Sequence, residues 1–200
     1  MQVHVVHAHP SEHSFTAQVR DELLRGLADG GHTATVSDLY RMGFATDMTE
    51  AEYLRDAHYD ATPPLAPDVV AEQRRINAAD ALVLVYPVFW TEAPAKLVGW
   101  FDRIWSYGFA YGQEAGGFPM KTLDRALVIA VAGHTEAELV EQGRLQAMRT
   151  VMLDDRINDR ARSKDLVLLG GTSRDDPERR EANRPIHLRR VYELAVGLGR

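Results

Sequence analysis

Two hundred residues with no proline-, glycine- or serine-rich linker predict a single domain over 1–200 with one hydrophobic core. A formal charge of -6 gives no basic footprint for nucleic acid, the absence of cysteine excludes disulfides, thiolate catalysis and cysteine-ligated metal centres, and no apolar run approaches the roughly 20 residues of a membrane span. Met1 leads straight into a strand pattern without a signal-like apolar stretch, so a soluble, cytoplasmic protein is expected.

Val3 to Ala8 reads as the first strand. A helix from about Ser14 to Ala28 follows, with Phe15, Val19, Leu23, Leu24 and Leu27 recurring at three and four, and Gly30-Gly31 ends it. Thr33 to Asp38 is the second strand; a helix over Thr49 to Ala57 interrupts the irregular stretch that runs to Pro67. Asp68 reads as the cap of a helix reaching Ala79. The apolar run Ala81 to Tyr86 is the third strand, Pro94 to Ser106 a helix and Arg125 to Ala132 the fourth strand. A helical region spans Glu136 to Ala161, Asp165 to Gly170 is the fifth strand, and a helix from Pro177 to Leu198 closes the chain. Strands alternating with helices of this length imply right-handed crossovers and a parallel sheet covered on both faces. Five such units suit a flavodoxin-like three-layer α/β sandwich with strand order 2-1-3-4-5.

That order makes the loops after strands one, three and four converge on one crevice at the carboxyl ends of the strands. His9 to Thr16, Pro87 to Glu92 and Ala132 to Glu136 are therefore expected to share a ligand. Residues 86 to 111 concentrate nine aromatic side chains, including all three tryptophans, which points to a flat, conjugated ligand. Trp100, Phe101 and Trp105 fall at helical spacing with Leu97 and Ile104 and read as core. Phe89 and Trp90 sit in a loop bounded by Pro87 and Pro94 and read as ligand contacts.

The first loop, His9-Pro-Ser-Glu-His-Ser-Phe-Thr16, opens a helix whose unpaired N–H groups and dipole favour a phosphate. It has neither a P-loop nor a dinucleotide glycine fingerprint, and Ser14 could act simply as the N-cap. His7 and His9 share a strand face and His13 follows, but no acidic partner at ligand spacing accompanies them and no metal is expected. His134, just past strand four, is the candidate for a catalytic or ligand-contacting imidazole, and Gly133 would let the backbone approach a planar ring. The arginines between Arg174 and Arg190 alternate with acids and read as a solvated, self-paired helix.

Several segments together resemble the flavin-dependent NAD(P)H:quinone oxidoreductases, the group that includes DT-diaphorase and its shorter bacterial relatives. They are His7-Ala-His-Pro-Ser-Glu-His-Ser-Phe15, Ser37-Asp-Leu-Tyr-Arg-Met-Gly-Phe44, Asp68-Val-Val-Ala-Glu-Gln73, the stretch from Tyr86-Pro through Trp90 and Pro94 to Gly99-Trp-Phe-Asp-Arg103, and Gly108-Phe-Ala-Tyr111. The resemblance runs to about Gly143 and implies non-covalent FAD or FMN, with NAD(P)H as hydride donor and a quinone-like acceptor in ping-pong turnover. It places His9, Ser14, Phe15 and Thr16 on the flavin phosphate and ribityl chain. Pro87, Val88, Phe89 and Trp90 would lie along the isoalloxazine, with Ala132 and Gly133 at its pyrimidine end, and Phe109 and Tyr111 on the substrate side. It also implies a homodimer with two sites at the interface.

The departures from that pattern are local. Ala130-Val-Ala-Gly133 stands where larger relatives carry Thr-Thr-Gly-Gly, and the Tyr and His that follow there are missing; Glu138, Leu139 and Ala147 occupy the neighbourhood. Two other readings remain open at this point. One is a flavin-binding regulatory subunit, similar to the ancillary proteins of glutathione-gated potassium efflux systems; the other is an azo or nitro reductase.

Overall fold

In the computed structural model, which describes residues 1–112 and 118–199, five parallel strands form one sheet: β1 (Gln2–His7), β2 (Thr33–Asp38), β3 (Ala81–Pro87), β4 (Leu123–Val131) and β5 (Ala161–Leu169). Their order is β2-β1-β3-β4-β5, as the sequence predicts. The helices are α1 (Phe15–Asp29), α2 (Glu50–Ala57), α3 (Pro67–Ala78), α4 (Ala95–Ile104), α5 (Glu136–Glu141), α6 (Arg144–Arg149) and α7 (Pro177–Val196).

Alternation along the strands splits the core into two layers. Val3 and Val5 of β1, Val83 and Val85 of β3 and Leu127 and Ile129 of β4 pack with Leu23 and Leu27 of α1 and Val191 and Ala195 of α7. Val6, Leu82, Leu84, Tyr86, Val128 and Ala130 face the other way, onto Ile76 of α3 and Leu97, Trp100 and Ile104 of α4. α1 and α7 meet at Gly26, where a Cβ would stand 2.7 Å from the Tyr192 carbonyl oxygen, so only glycine permits that approach.

Several boundaries differ from expectation for identifiable reasons. Ala66, not Asp68, is the N-cap of α3, because Pro67 takes the first helical position, where its missing N–H costs nothing. Asp68 instead pairs with Arg103 at 2.5 Å. The helical region predicted as one piece over Glu136 to Ala161 is broken. Gly143 adopts φ 69° between α5 and α6, and a π-helical stretch, Thr150–Ile157, and a short 3-10 turn, Asn158–Arg160, follow. β5 begins at Ala161, four residues before the predicted start, because it pairs with β4 from Leu123 onward while its edge position lets Arg162 and Ser163 face solvent.

A buried polar cluster ties the second layer to the sheet. Glu72 of α3, fully buried, accepts from Ser37 Oγ (2.7 Å) and from Trp100 Nε1 (2.9 Å), and also meets Arg75 and His4. Burial alone would raise its pKa. The bonds from His4, Ser37 and Trp100 outweigh that and leave it below the usual carboxylate value.

Candidate active site

The carboxyl ends of β1, β3 and β4 are laced together: Ala8 N–H donates to Val85 O (3.1 Å), Val88 N–H to Val131 O (2.8 Å) and Ala132 N–H to Leu169 O (3.0 Å). A cavity of about 510 Å³ opens there, lined by Val88, Trp90, Thr91, Gly133, His134 and Arg144, with Ala132 and Leu139 behind. Another cavity of about 490 Å³, between β2 and α3, lies by Gln2 and Val3 at the amino end of β1, away from the end where parallel sheets hold ligands.

The loop after β3 is a closed two-residue turn. Phe89 and Glu92 exchange backbone bonds of 2.8 and 2.9 Å, and Trp90 and Thr91 between them have φ 52° and 70°. Two positive φ values in succession belong to a type I′ turn, normally built from asparagine and glycine, so Trp90 and especially the β-branched Thr91 are strained. The turn lifts Trp90 entirely into solvent (101% exposed) and leaves Phe89 half exposed. Arg156 of the π-helical stretch braces it with a 3.1 Å ion pair to Glu92, and Trp105 Nε1 donates to the Arg156 carbonyl (2.6 Å).

The loop after β4 is shaped from the far side. Gly171 N–H donates to His134 O (2.8 Å), and Thr172 donates to Ala132 O through both its N–H (3.1 Å) and its hydroxyl (2.9 Å). The N–H groups of Gly133 and His134 have no backbone acceptor among the described residues and remain available. His134, largely exposed, has Nδ1 3.6 Å from Glu138 Oε2. That carboxylate caps α5 through the Thr135 N–H (2.7 Å), which with the Thr135 hydroxyl holds its pKa below the usual value.

The loop after β1 runs beside these two without lining the same cavity. Ser14 caps α1 by accepting from Ala17 N–H (3.0 Å), while the Phe15 and Thr16 N–H groups have no acceptor among the described residues and no acidic residue occupies the first turn. His9 Nδ1 accepts from Ser11 N–H (2.9 Å), so a neutral His9 carries its proton on Nε2; burial keeps its pKa below the ordinary value. His7 Nδ1–H donates to Asp38 (3.0 Å), which Arg20 also holds (3.1 Å). Burial outweighs Asp38 and lowers the His7 pKa, so the contact is a hydrogen bond from a neutral ring.

α7 contributes what the sequence left as a solvated helix. Arg184 reaches Gln18 Oε1 (2.7 Å) and lies 5.9 Å from the Phe15 ring, and His187 stands 6.3 Å from the same ring. A guanidinium thus joins the open amino end of α1, a juxtaposition that periodicity within α7 could not reveal.

Of the residues expected to share a ligand, Val88, Trp90, Ala132, Gly133 and His134 come together. His9, Ser14, Phe15 and Thr16, expected to share that ligand, do not line the cavity; Phe89 flanks the turn, and Pro87 is buried in β3. Two are elsewhere. Phe109, expected on the substrate side, is a core residue with 1% exposure in the single chain. Tyr111 packs 5.6 Å from the Tyr107 ring, and burial, then Asp56, pushes its pKa up to about 12. Trp100 and Phe101 are core, as expected, and Trp105 is half-buried against them.

The sequence matches the family described as Flavodoxin-like fold over residues 1–191. The chain belongs to that family. It is 40% identical to a solved NAD(P)H:quinone oxidoreductase from Methanothermobacter marburgensis, with a TM-score of 0.91 over 100% of this chain and 96% of that one. It is 35% identical over 121 residues to the ribosyldihydronicotinamide dehydrogenase [quinone] of Rattus norvegicus, a match covering 54% of this chain and 52% of that protein. An NAD(P)H oxidoreductase of Escherichia coli is 32% identical over 141 residues, 70% of this chain and 69% of that protein. The chain spans about half the length of the first of the curated relatives it matches.

Proposed function

We propose that the chain is a flavin-dependent oxidoreductase that accepts hydride from NAD(P)H and passes it to quinones or similar aromatic acceptors in ping-pong turnover, donor and acceptor using the same place in succession. The observation that carries this reading is the cavity in which an upright Trp90 shares a wall with the free N–H groups of the Gly133 loop.

The residues present fit a flavin. The unpaired Phe15 and Thr16 N–H groups and Arg184 suit the phosphate that FMN and FAD have in common, and His9 adds an Nε2–H donor. Trp90, with Val88 behind it, offers apolar stacking area for a tricyclic ring. Gly133 and His134 present N–H donors to its polar end, and a Cβ at Gly133 would meet nothing in the protein closer than 3.6 Å, so packing alone does not demand glycine there. The flavin, when bound, supplies the two-electron chemistry. This chain binds and orients it, stacks the partner ring above it, and excludes water with Ala132 and Leu139.

Tyr111 lies outside the cavity of its own chain. A homodimer whose two sites sit at the interface would let Tyr111 of one copy serve the cavity of the other, and we propose that arrangement.

The purified protein should be yellow, release FMN or FAD identifiable by mass, and oxidise NADH or NADPH with menadione. Sedimentation should give a dimer. A colourless protein that neither flavin reconstitutes overturns this reading.

A further inference from the structure

One cation in the cavity has no role in the chemistry described so far. Arg144 lines it beside Gly133, His134 and Leu139, and its guanidinium has no ion-pair or hydrogen-bond partner among the described residues. Other arginines are paired with acids: Arg156 with Glu92 at 3.1 Å and Arg179 with Asp176 at 3.3 Å. Among the described residues no carboxylate lines the cavity. Glu138 is held at the cap of its own helix. The lining therefore combines one permanent positive charge with two unpaired N–H dipoles, with the Glu138 carboxylate 3.6 Å from His134, and Ala132 and Leu139, each 2% exposed, back it with apolar surface.

We propose that Arg144 supplies the positive charge that favours the reduced over the oxidised flavin, an inference that rests on the flavin reading above. Hydride uptake adds two electrons and one proton to the bound ring and leaves the nicotinamide oxidised, so the ring's net charge falls by one. An exposed guanidinium lining the same cavity offsets part of that change.

The test is the two-electron midpoint potential of the bound flavin, measured by dye equilibration in the wild type, Arg144→Gln and Arg144→Lys. Arg144 is exposed and partnerless, so both variants should fold with unchanged circular dichroism. Arg144→Gln should lower the preference for reduced over oxidised flavin about tenfold, equivalent to a potential about 30 mV more negative for a two-electron couple. Arg144→Lys should keep most of the wild-type value, and added salt should narrow the gap between wild type and Arg144→Gln. Equal potentials in wild type and Arg144→Gln, with flavin bound in both, overturn the role of Arg144 and leave the flavin reading standing. A wild-type protein that takes up neither flavin overturns both.

Discussion

Trp90 and Thr91 occupy consecutive left-handed positions, φ 52° and 70°, inside a turn closed by reciprocal Phe89–Glu92 backbone bonds. Holding a β-branched residue there costs about 1–3 kcal/mol, and such strain persists where a site requires the geometry. Thr91→Gly should raise stability by roughly 1 kcal/mol, part of the relief being lost to the greater freedom of glycine in the unfolded chain. The same variant should hold flavin less tightly. A denaturant midpoint that falls would show that the turn is unstrained.

Trp90 and Trp105 should respond oppositely to truncation. Trp90 is fully exposed, so Trp90→Ala should alter stability by less than about 0.5 kcal/mol while sharply weakening flavin retention and turnover. Trp105 packs against Trp100 and Phe101 and donates to the Arg156 carbonyl; its alanine variant should lose about 3 kcal/mol. Equal losses of flavin in the two variants would contradict the division between site and core.

Acid should destabilise the protein in two stages. His7 and His9 both have folded pKa values below the ordinary 6.5, so the unfolded chain binds their protons more readily and stability falls as pH drops through 6.5. Asp38 titrates below its ordinary 3.8, because the Arg41 N–H, His7 and Arg20 outweigh the effect of burial; its contribution is lost only at lower pH. His7→Gln should flatten the slope between neutrality and about pH 5 in urea melts. An unchanged slope would mean that His7 is not neutral in the fold.

Removing the Glu72 carboxylate should be more damaging than neutralising it. Glu72→Ala orphans the Ser37 hydroxyl and Trp100 N–H and opens a void beneath α4, for a loss of about 3 kcal/mol or more, whereas Glu72→Gln keeps an acceptor and should cost less. Thermal melts of the two variants with similar midpoints would refute this ranking.

Much of this was legible in the sequence because it is local or periodic. The strand order followed from alternating apolar runs, and Trp90 stood out because two prolines bracket its loop. Asp68 misled because an acid beside a helix start resembles a cap, while the adjacent Pro67 already fitted the first position. Arg162 to Lys164 look like loop but form part of an edge strand, where one face meets water. Phe109 sits among site-like aromatics yet is buried. Arg184 meets Gln18 across 166 residues, a separation that no pattern within α7 encodes.

The bonds from Gly171 and Thr172 back to His134 and Ala132 carry one further consequence. The segment after β5 adds no strand, yet it acts as the mould against which the β4 loop is cast. A chain ending near Leu169 could retain every strand and still present the Gly133 loop in the wrong shape, so changes of sequence between Gly170 and Thr172 offer a route to retune the cavity without touching anything that lines it.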